Sequence, residues 1–288
     1  MEYLVSIAIF VGIYAILAIG LNLIVGYTGL LSVAQAAFYG VGAYATAILS
    51  TEYGVNFFVS LVIGAVIAGA LAFAIGVVLS RFRDDYLALA SFGFNVIIFS
   101  IFLNAGGLTR GPLGIPGISR PEVFGFSFDN NLVFLLLLAA FAFAIYAVAN
   151  FIVSSSFGRI LKAIREDEVA ISVFGYRPLY YKLTIFVIGS MMAAVAGSFF
   201  AGYISFVDPS SFSLNESIFI LAIIILGGLA SIRGSFVGAL FLILLPEILR
   251  FVGFPTDVAA QMRQVTYGLI LIILMLYRPQ GLLGEYRL

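Results

Sequence analysis

Residues 3–25, 57–79 and 132–153 contain no charged side chain. A helix of about 20 apolar residues crosses the roughly 30 Å hydrocarbon core of a bilayer. Lipid offers no partner to backbone N–H and C=O groups, so chains of this kind are held to helices that satisfy those groups internally. The same ruler marks 33–50, 86–104, 183–205 and 263–277. Two shorter runs, 217–230 and 235–250, are separated by Ser231-Ile232-Arg233-Gly234. The expected fold is an all-α integral membrane protein, a single transmembrane domain over residues 1–288 with roughly eight or nine membrane helices. The short pair is expected to be re-entrant or partly spanning, which lipid tolerates only where protein buries it.

Composition agrees. The chain is 63% hydrophobic and only 10% charged, against about 25% charged in a soluble domain, and its mean hydropathy is +1.18. A net charge of zero gives no basic surface for nucleic acid. The absence of cysteine and histidine removes disulfides, thiolate metal sites and the usual proton relay near neutral pH. The start, Met1-Glu2-Tyr3, lacks the basic region of a signal peptide and its apolar run outlasts a typical signal core. A retained first helix is the expectation.

Against that background one stretch is polar. Residues 154–182 hold Arg159, Lys162, Arg165, Arg177 and Lys182 around Glu166-Asp167-Glu168. The cations at 159, 162 and 165 recur every three residues opposite Ile160 and Ile164, which predicts a short amphipathic helix. An acidic run opposes the dipole at the C-terminal end of one helix and suits the N-terminal end of the next. A break is therefore expected there, with Asp167 as N-cap of a second helix that stops at Gly175 before Pro178. An interfacial helix on headgroups is the simpler alternative, but an acidic elbow suits a negative inner leaflet poorly. The reading adopted is a cytoplasmic segment that contacts a protein partner.

Placing that segment inside puts nine of the fourteen basic residues (81, 83, 159, 162, 165, 177, 182, 278 and 287) on the cytoplasmic side, as basic residues prefer. The N-terminus is then outside and the C-terminus cytoplasmic. The Gly- and Pro-rich segment 104–130 becomes an outer loop, either a plain connection or a shaped rim at an outer mouth.

Gly26-Tyr27-Thr28-Gly29 is expected to interrupt the first membrane run. Asn22, Ser32 and Gln35 bring polar groups to that break, and Phe38, Gly40 and Gly42 follow it. Broken helices offer backbone groups to polar solutes at membrane depth, so these positions are pathway candidates. A faint echo joins Gly29-Leu30-Leu31-Ser32, Phe38 and Gly42-Ala43 with Gly228-Leu229-Ala230-Ser231, Phe236 and Gly238-Ala239. It adds Gly227 and Gly228 to the candidates, with chance likeness of small-residue helices as the alternative. The order Val25-Gly26-Tyr27-Thr28 does not match a potassium filter. Glu247 and Arg250 read as a structural pair. No nucleotide-binding loop, metal motif or nucleophile elbow is present. No catalytic or metal-ligating residue is assigned, and ATP, if used, is bound by another chain.

These stretches resemble the permease subunits of branched-chain amino acid ABC importers, specifically the LivM type. The likeness rests on LNLIVGYTGLLSVAQAAFYGVGAYATAIL (21–49), YLALASFGFNVI (86–97) and GGLTRGPLGIPGI (106–118). It continues in GRILKAIREDEVAISVFGYRPLYYKL (158–183), ILGGLASIRGSFVGALF (225–241) and the tail YRPQGLLGEYRL. The resemblance implies an importer half in the cell membrane that pairs with a homologous LivH-type permease. It also implies two cytoplasmic subunits that bind ATP and magnesium, and an extracytoplasmic substrate-binding protein. In this family the segment matching 158–176 couples to an ATPase, which implicates Arg159, Ala163, Arg165, Glu166, Ala170 and Gly175, with Lys162, Asp167 and Glu168 beside them. Asp167-Glu168-Val169 departs from the family's usual elbow. Branched-chain amino acids are the implied cargo; urea or short amides, and a self-sufficient secondary transporter or facilitator, are the alternatives.

Overall fold

The computed structural model describes residues 2–79, 85–123, 126–128, 130–251, 265, 268–269, 272 and 280–284. Helix α1 (Glu2–Thr28) leads to α2 (Gln35–Thr51), α3 (Phe57–Leu79) and α4 (Asp85–Asn104). After the short α5 (Gly106–Thr109) come α6 (Asn131–Ser154), α7 (Ser156–Glu166), α8 (Glu168–Val173) and α9 (Pro178–Ile204). The last described helices are α10 (Leu214–Gly227) and α11 (Ile232–Phe251). Among the described residues five helices (α1, α3, α4, α6 and α9) are long and apolar enough to span a bilayer, and α10 with α11 forms a further span bent by 118°. The described residues of the run expected at 263–277 are 265, 268, 269 and 272, and all are helical.

Helix α1 sits at the centre, packed against α6, α9, α10 and α11, and its residues from Ala15 to Thr28 are all buried. Helix α9 packs against α1, α2 and α3. Close approach of α2 to α9 depends on Gly42, where a Cβ would lie 2.1 Å from the Ala194 carbonyl oxygen. Small residues at such crossings let membrane helices pack through dispersion contacts, since lipid supplies no hydrophobic drive between them. The segment 104–130 is a connection with structure of its own. Strand β1 (Ile115–Pro116) pairs antiparallel with β4 (Phe206–Val207), Ile115 opposite Val207, which ties the loop to the end of α9. Strands β2 (Glu122–Val123) and β3 (Phe126–Ser127) form a small hairpin.

Several boundaries differ from the sequence reading. Helix α1 does not break at Gly26: it continues through Tyr27 and Thr28, and the non-helical stretch is 29–34. Gly26 is helical because its bare Cα admits another backbone; a Cβ there would lie 2.6 Å from the Ala230 nitrogen. Helix α9 begins five residues before the apolar run suggested, with Pro178 in its first turn, where a missing N–H costs nothing. The turn between α10 and α11 is 228–231 rather than 231–234. Gly228 and Ala230 both have positive φ there (118° and 58°), and the Ser231 hydroxyl accepts from Gly234 N to open α11.

Candidate functional site

Of the two glycine-led breaks, the second packs against the end of α1, where a Cβ on Gly26 would lie 2.6 Å from Ala230 N. Gly29 begins the first with φ 74° and Gly228 the second. Asn22, one turn and a half before the end of α1, holds the second. Its Nδ2 donates to the Gly228 carbonyl (3.2 Å), the Ser231 carbonyl (2.9 Å) and Ser235 Oγ (2.7 Å). Its Oδ1 accepts from Ala230 N at 2.9 Å. The carboxamide is 1% exposed; without it the Gly228 carbonyl and the Ala230 N–H would lose their bonds, at a cost of about 1–3 kcal/mol apiece, whereas the Ser231 carbonyl also accepts from Ser235 N. Backbone N–H groups of Leu282 and Leu283 donate to the Leu226 and Gly227 carbonyls, both at 2.9 Å. They satisfy the open end of α10, and they place 280–284 at the same end of the bundle as the turn.

The first break lies against the middle of α4, one of the candidate membrane spans. Its start is tied to α1 by Gly29 N donating to the Val25 carbonyl at 3.0 Å. Its end lies beside Leu17, whose carbonyl accepts from Gln35 Nε2 at 3.3 Å. Backbone of this kind needs internal partners, and polar side chains in apolar helices supply them. Ser91 Oγ accepts from Val33 N (3.0 Å), Asn95 Nδ2 donates to the Val33 carbonyl (3.0 Å), and Ser217 Oγ accepts from Ala36 N (2.9 Å). Ser91, Asn95 and Ser217 were missed in the sequence because each is a lone polar residue in an apolar run. The signal that reaches them is their position: α4 and α10 are the helices that flank the break.

The sequence candidates Asn22, Gly26, Tyr27, Ser32, Gln35, Phe38, Gly40, Gly42, Gly227 and Gly228 are all buried within the chain, while Gly29 is exposed. Asn22, Gly26, Gly227 and Gly228 meet at the α10–α11 turn. Ser32 and Gln35 belong to the first break, and Gly40 and Gly42 form the helix contacts that follow it. An open cleft of about 410 Å³ lies beside the turn, lined by Tyr27, Tyr146, Asn150, Ser231 and Arg233 among others.

The polar segment folds as two helices about Asp167, whose carboxylate accepts from Ala170 N at 2.9 Å as the N-cap of α8. Gly175 follows with φ 86° and ends the unit. Helix α7 buries Leu161 and Ile164 against the bundle. Its basic stripe is divided between two directions: Arg159 is exposed and bonds Ser156 Oγ at 2.7 Å, whereas Arg165 donates to the Gly26 carbonyl and Lys162 stands 5.6 Å from the Tyr27 ring centre. Helix α8 buries nothing. Val169, Val173 and Phe174 are 68%, 81% and 78% exposed, beside the exposed acids Glu166 and Asp167. Glu168 is held by Lys182 of α9. Ala163 and Ala170 are half-buried on the inner sides of their helices.

Among the described residues, five helices long and apolar enough to span a bilayer, with a sixth span formed by a bent pair, define a multi-pass membrane protein as the class. The family model described as branched-chain amino acid transport system / permease component matches residues 3–276, and the chain belongs to that family. It is 35% identical to the high-affinity branched-chain amino acid transport system permease protein LivM of Escherichia coli K12, over 98% of this chain and 70% of that protein. It is 24% identical to a probable LivM of Methanocaldococcus jannaschii, over 97% of this chain and 92% of that one. Similarity extends to LivH of Escherichia coli K12, 28% identical over 94% of this chain and 91% of that protein. No solved structure gives a significant match.

Proposed function

We propose that this chain is one half of the membrane pathway of an ABC importer for branched-chain or other small neutral amino acids, a transporter subunit and not an enzyme. It pairs with a LivH-type permease, receives cargo from an extracytoplasmic binding protein, and is driven by two cytoplasmic subunits that bind ATP and magnesium. The N-terminus lies outside the cell membrane, and α7, α8 and the C-terminus lie in the cytoplasm. Residues 154–182 form the coupling segment of the single membrane domain. The junction of Asn22, Gly26–Gly29, Ser32, Gln35, Gly227 and Gly228 forms the part of the pathway wall that must rearrange.

The observation that carries this reading is α8. A helix that buries no residue of its own chain and displays Val169, Val173 and Phe174 beside Glu166 and Asp167 is suited to an apolar groove with a basic rim on a soluble partner. Burial of two or three such side chains in a groove contributes about 1.5–3 kcal/mol each, enough to hold a force-bearing contact. No charged relay is needed inside the bundle when the energy arrives from that contact. The test is reconstitution in vesicles. The four-component complex should accumulate leucine only with ATP and binding protein present, and the chain alone should transport nothing. Leucine accumulation by the chain alone would overturn the assignment.

A further inference from the structure

Ser217 Oγ accepts two hydrogen bonds, from Ala36 N at 2.9 Å and from Asn95 Nδ2 at 2.7 Å. Both lone pairs are then used, and its own proton has no acceptor among the described residues. The carboxamide of Asn95 shows the opposite vacancy. Its two amino hydrogens go to Ser217 Oγ and the Val33 carbonyl, while Oδ1 is buried with no partner among the described residues. Turning the amide over does not help, because the Val33 carbonyl can only accept. A free acceptor and a free donor thus sit a few ångströms apart, roughly the length of one carboxamide and its hydrogen bond. Both residues are 1% exposed; Asn95 bonds the non-helical stretch at Val33, and Ser217 bonds the first turn of α2 at Ala36. A third unpartnered group, the Tyr39 hydroxyl, belongs to the same helix α2, one turn beyond Ala36.

Buried polar groups are satisfied in the great majority of cases, and each exception asks for a cause. Here, among the described residues, one exception, Asn95 Oδ1, belongs to a side chain bonded to the non-helical stretch 29–34, and the other two, the Tyr39 and Tyr44 hydroxyls, lie along α2, the helix that follows it. We propose that Asn95 and Ser217 form a solute-reading pair for the α-ammonium and carboxylate of a transported amino acid: the Asn95 carbonyl oxygen accepts from the ammonium, and the Ser217 hydroxyl donates to the carboxylate. The stretch 29–34, which exposes Leu31 and half-exposes Val33 on its outer side, covers the pair in this conformation and moves aside when the pathway opens. The inference rests on the proposed function and adds to it the residues that recognise cargo. It also accounts for the two zwitterionic ends being read while the side chain is left to apolar surroundings, as a carrier of several branched-chain amino acids requires.

The chain has no cysteine, so Ser217→Cys introduces the only thiol of this subunit at the site itself. In the assembled complex with binding protein, ATP cycling should make that thiol reactive to a small water-soluble methanethiosulfonate, with modification read by peptide mass. Leucine at ten times its half-saturating concentration should slow labelling about tenfold, in proportion to the unoccupied fraction; Thr46→Cys, in a buried contact with Ser198 away from the pair, should show no such protection. Val33→Cys supplies a second reporter if the first variant assembles poorly. A working complex whose thiol at 217 or 33 labels equally fast with and without leucine, or never labels, overturns the solute-reading pair and leaves the function standing. A wild-type complex that moves no amino acid overturns both.

Discussion

The guanidinium of Arg165 donates to the backbone carbonyl of Gly26, so the polar segment is fastened directly to the last turn of the central membrane helix. Four residues earlier on that helix, Asn22 grips the turn between α10 and α11. A displacement of α7 therefore has a short mechanical route to the broken helix pair. Arg165→Ala removes a hydrogen bond made by a charged donor, worth about 1.5–3 kcal/mol. Leucine-stimulated ATP turnover of the reconstituted complex is expected to fall roughly tenfold, with assembly preserved. Arg159→Ala, which among the described residues loses bonds to Ser154 and Ser156 beside its own helix, should change turnover by about twofold or less. Equal losses in the two variants would show that the stripe acts through its charge and not through α1.

Asn22 is expected to be more costly to replace. Asn22→Leu keeps the volume and removes the amide's bonds to the Ala230 N–H, two carbonyls and the Ser235 hydroxyl. The Ser231 carbonyl and the Ser235 hydroxyl still bond each other, and Ser235 N still donates to the Ser231 carbonyl. Some of them find other partners, so the net loss should be about 2–4 kcal/mol rather than the full sum. Gly26→Ala attacks the same clamp from the other side, since its Cβ would fall 1.9 Å from Asn22 Oδ1. The two substitutions share one structure, and their combined cost should be clearly less than additive. Reversible unfolding in mixed micelles measures all three; strict additivity would mean that Gly26 and Asn22 serve separate contacts.

The elbow at Asp167 was legible because helix capping is local chemistry: an acidic residue at a boundary, a glycine beyond and a proline after it fix two ends within a dozen residues. The paired breaks were legible in part. Glycine at 29 and 228 marked them, but Gly26 was misread as a breaker because its role is long-range, admitting Ala230 from a segment some two hundred positions away. Asn95 and Ser217 were illegible for the same reason. Nothing near them in sequence states that they face the backbone of 33–36. The direction of Lys162 and Arg165 also escaped the three-residue periodicity, which identifies a stripe without saying whether water or α1 receives it.

Helix α8 supplies a prediction about assembly. Val173→Ser with Phe174→Ser removes the two most exposed apolar side chains of α8 and its C-cap, and neither is buried within the chain. Stability of the isolated subunit should shift by less than about 0.5 kcal/mol, as for surface positions generally. Retention of the ATP-binding subunits on the membrane complex should fall by at least about tenfold in affinity, the loss expected when one well-filled apolar contact disappears. Normal retention together with normal stability would remove α8 from the partner interface.

Two glycines separate packing from propensity. Gly42 of α2 faces α9, where a Cβ would meet Ala194 at 2.1 Å from its oxygen and 2.4 Å from its Cα, both backbone atoms that no rotamer change can move. Gly42→Ala must push α2 from α9, and overpacking of this kind costs about 1–3 kcal/mol. The same shift strains the neighbouring bond from Thr46 Oγ1 to Ser198 Oγ, 2.8 Å long. Gly93 of α4 has nothing within 4 Å of its Cβ position, so Gly93→Ala adds helix propensity without a clash and should stabilise by up to about 1 kcal/mol. Thermal aggregation in detergent should therefore place the Gly42 variant below the wild type and the Gly93 variant at or above it. The discriminating result is the order. If Gly42→Ala melts no lower than Gly93→Ala, α2 and α9 are not in backbone contact, and the placement of the 29–34 stretch against α4 and α10 loses its support.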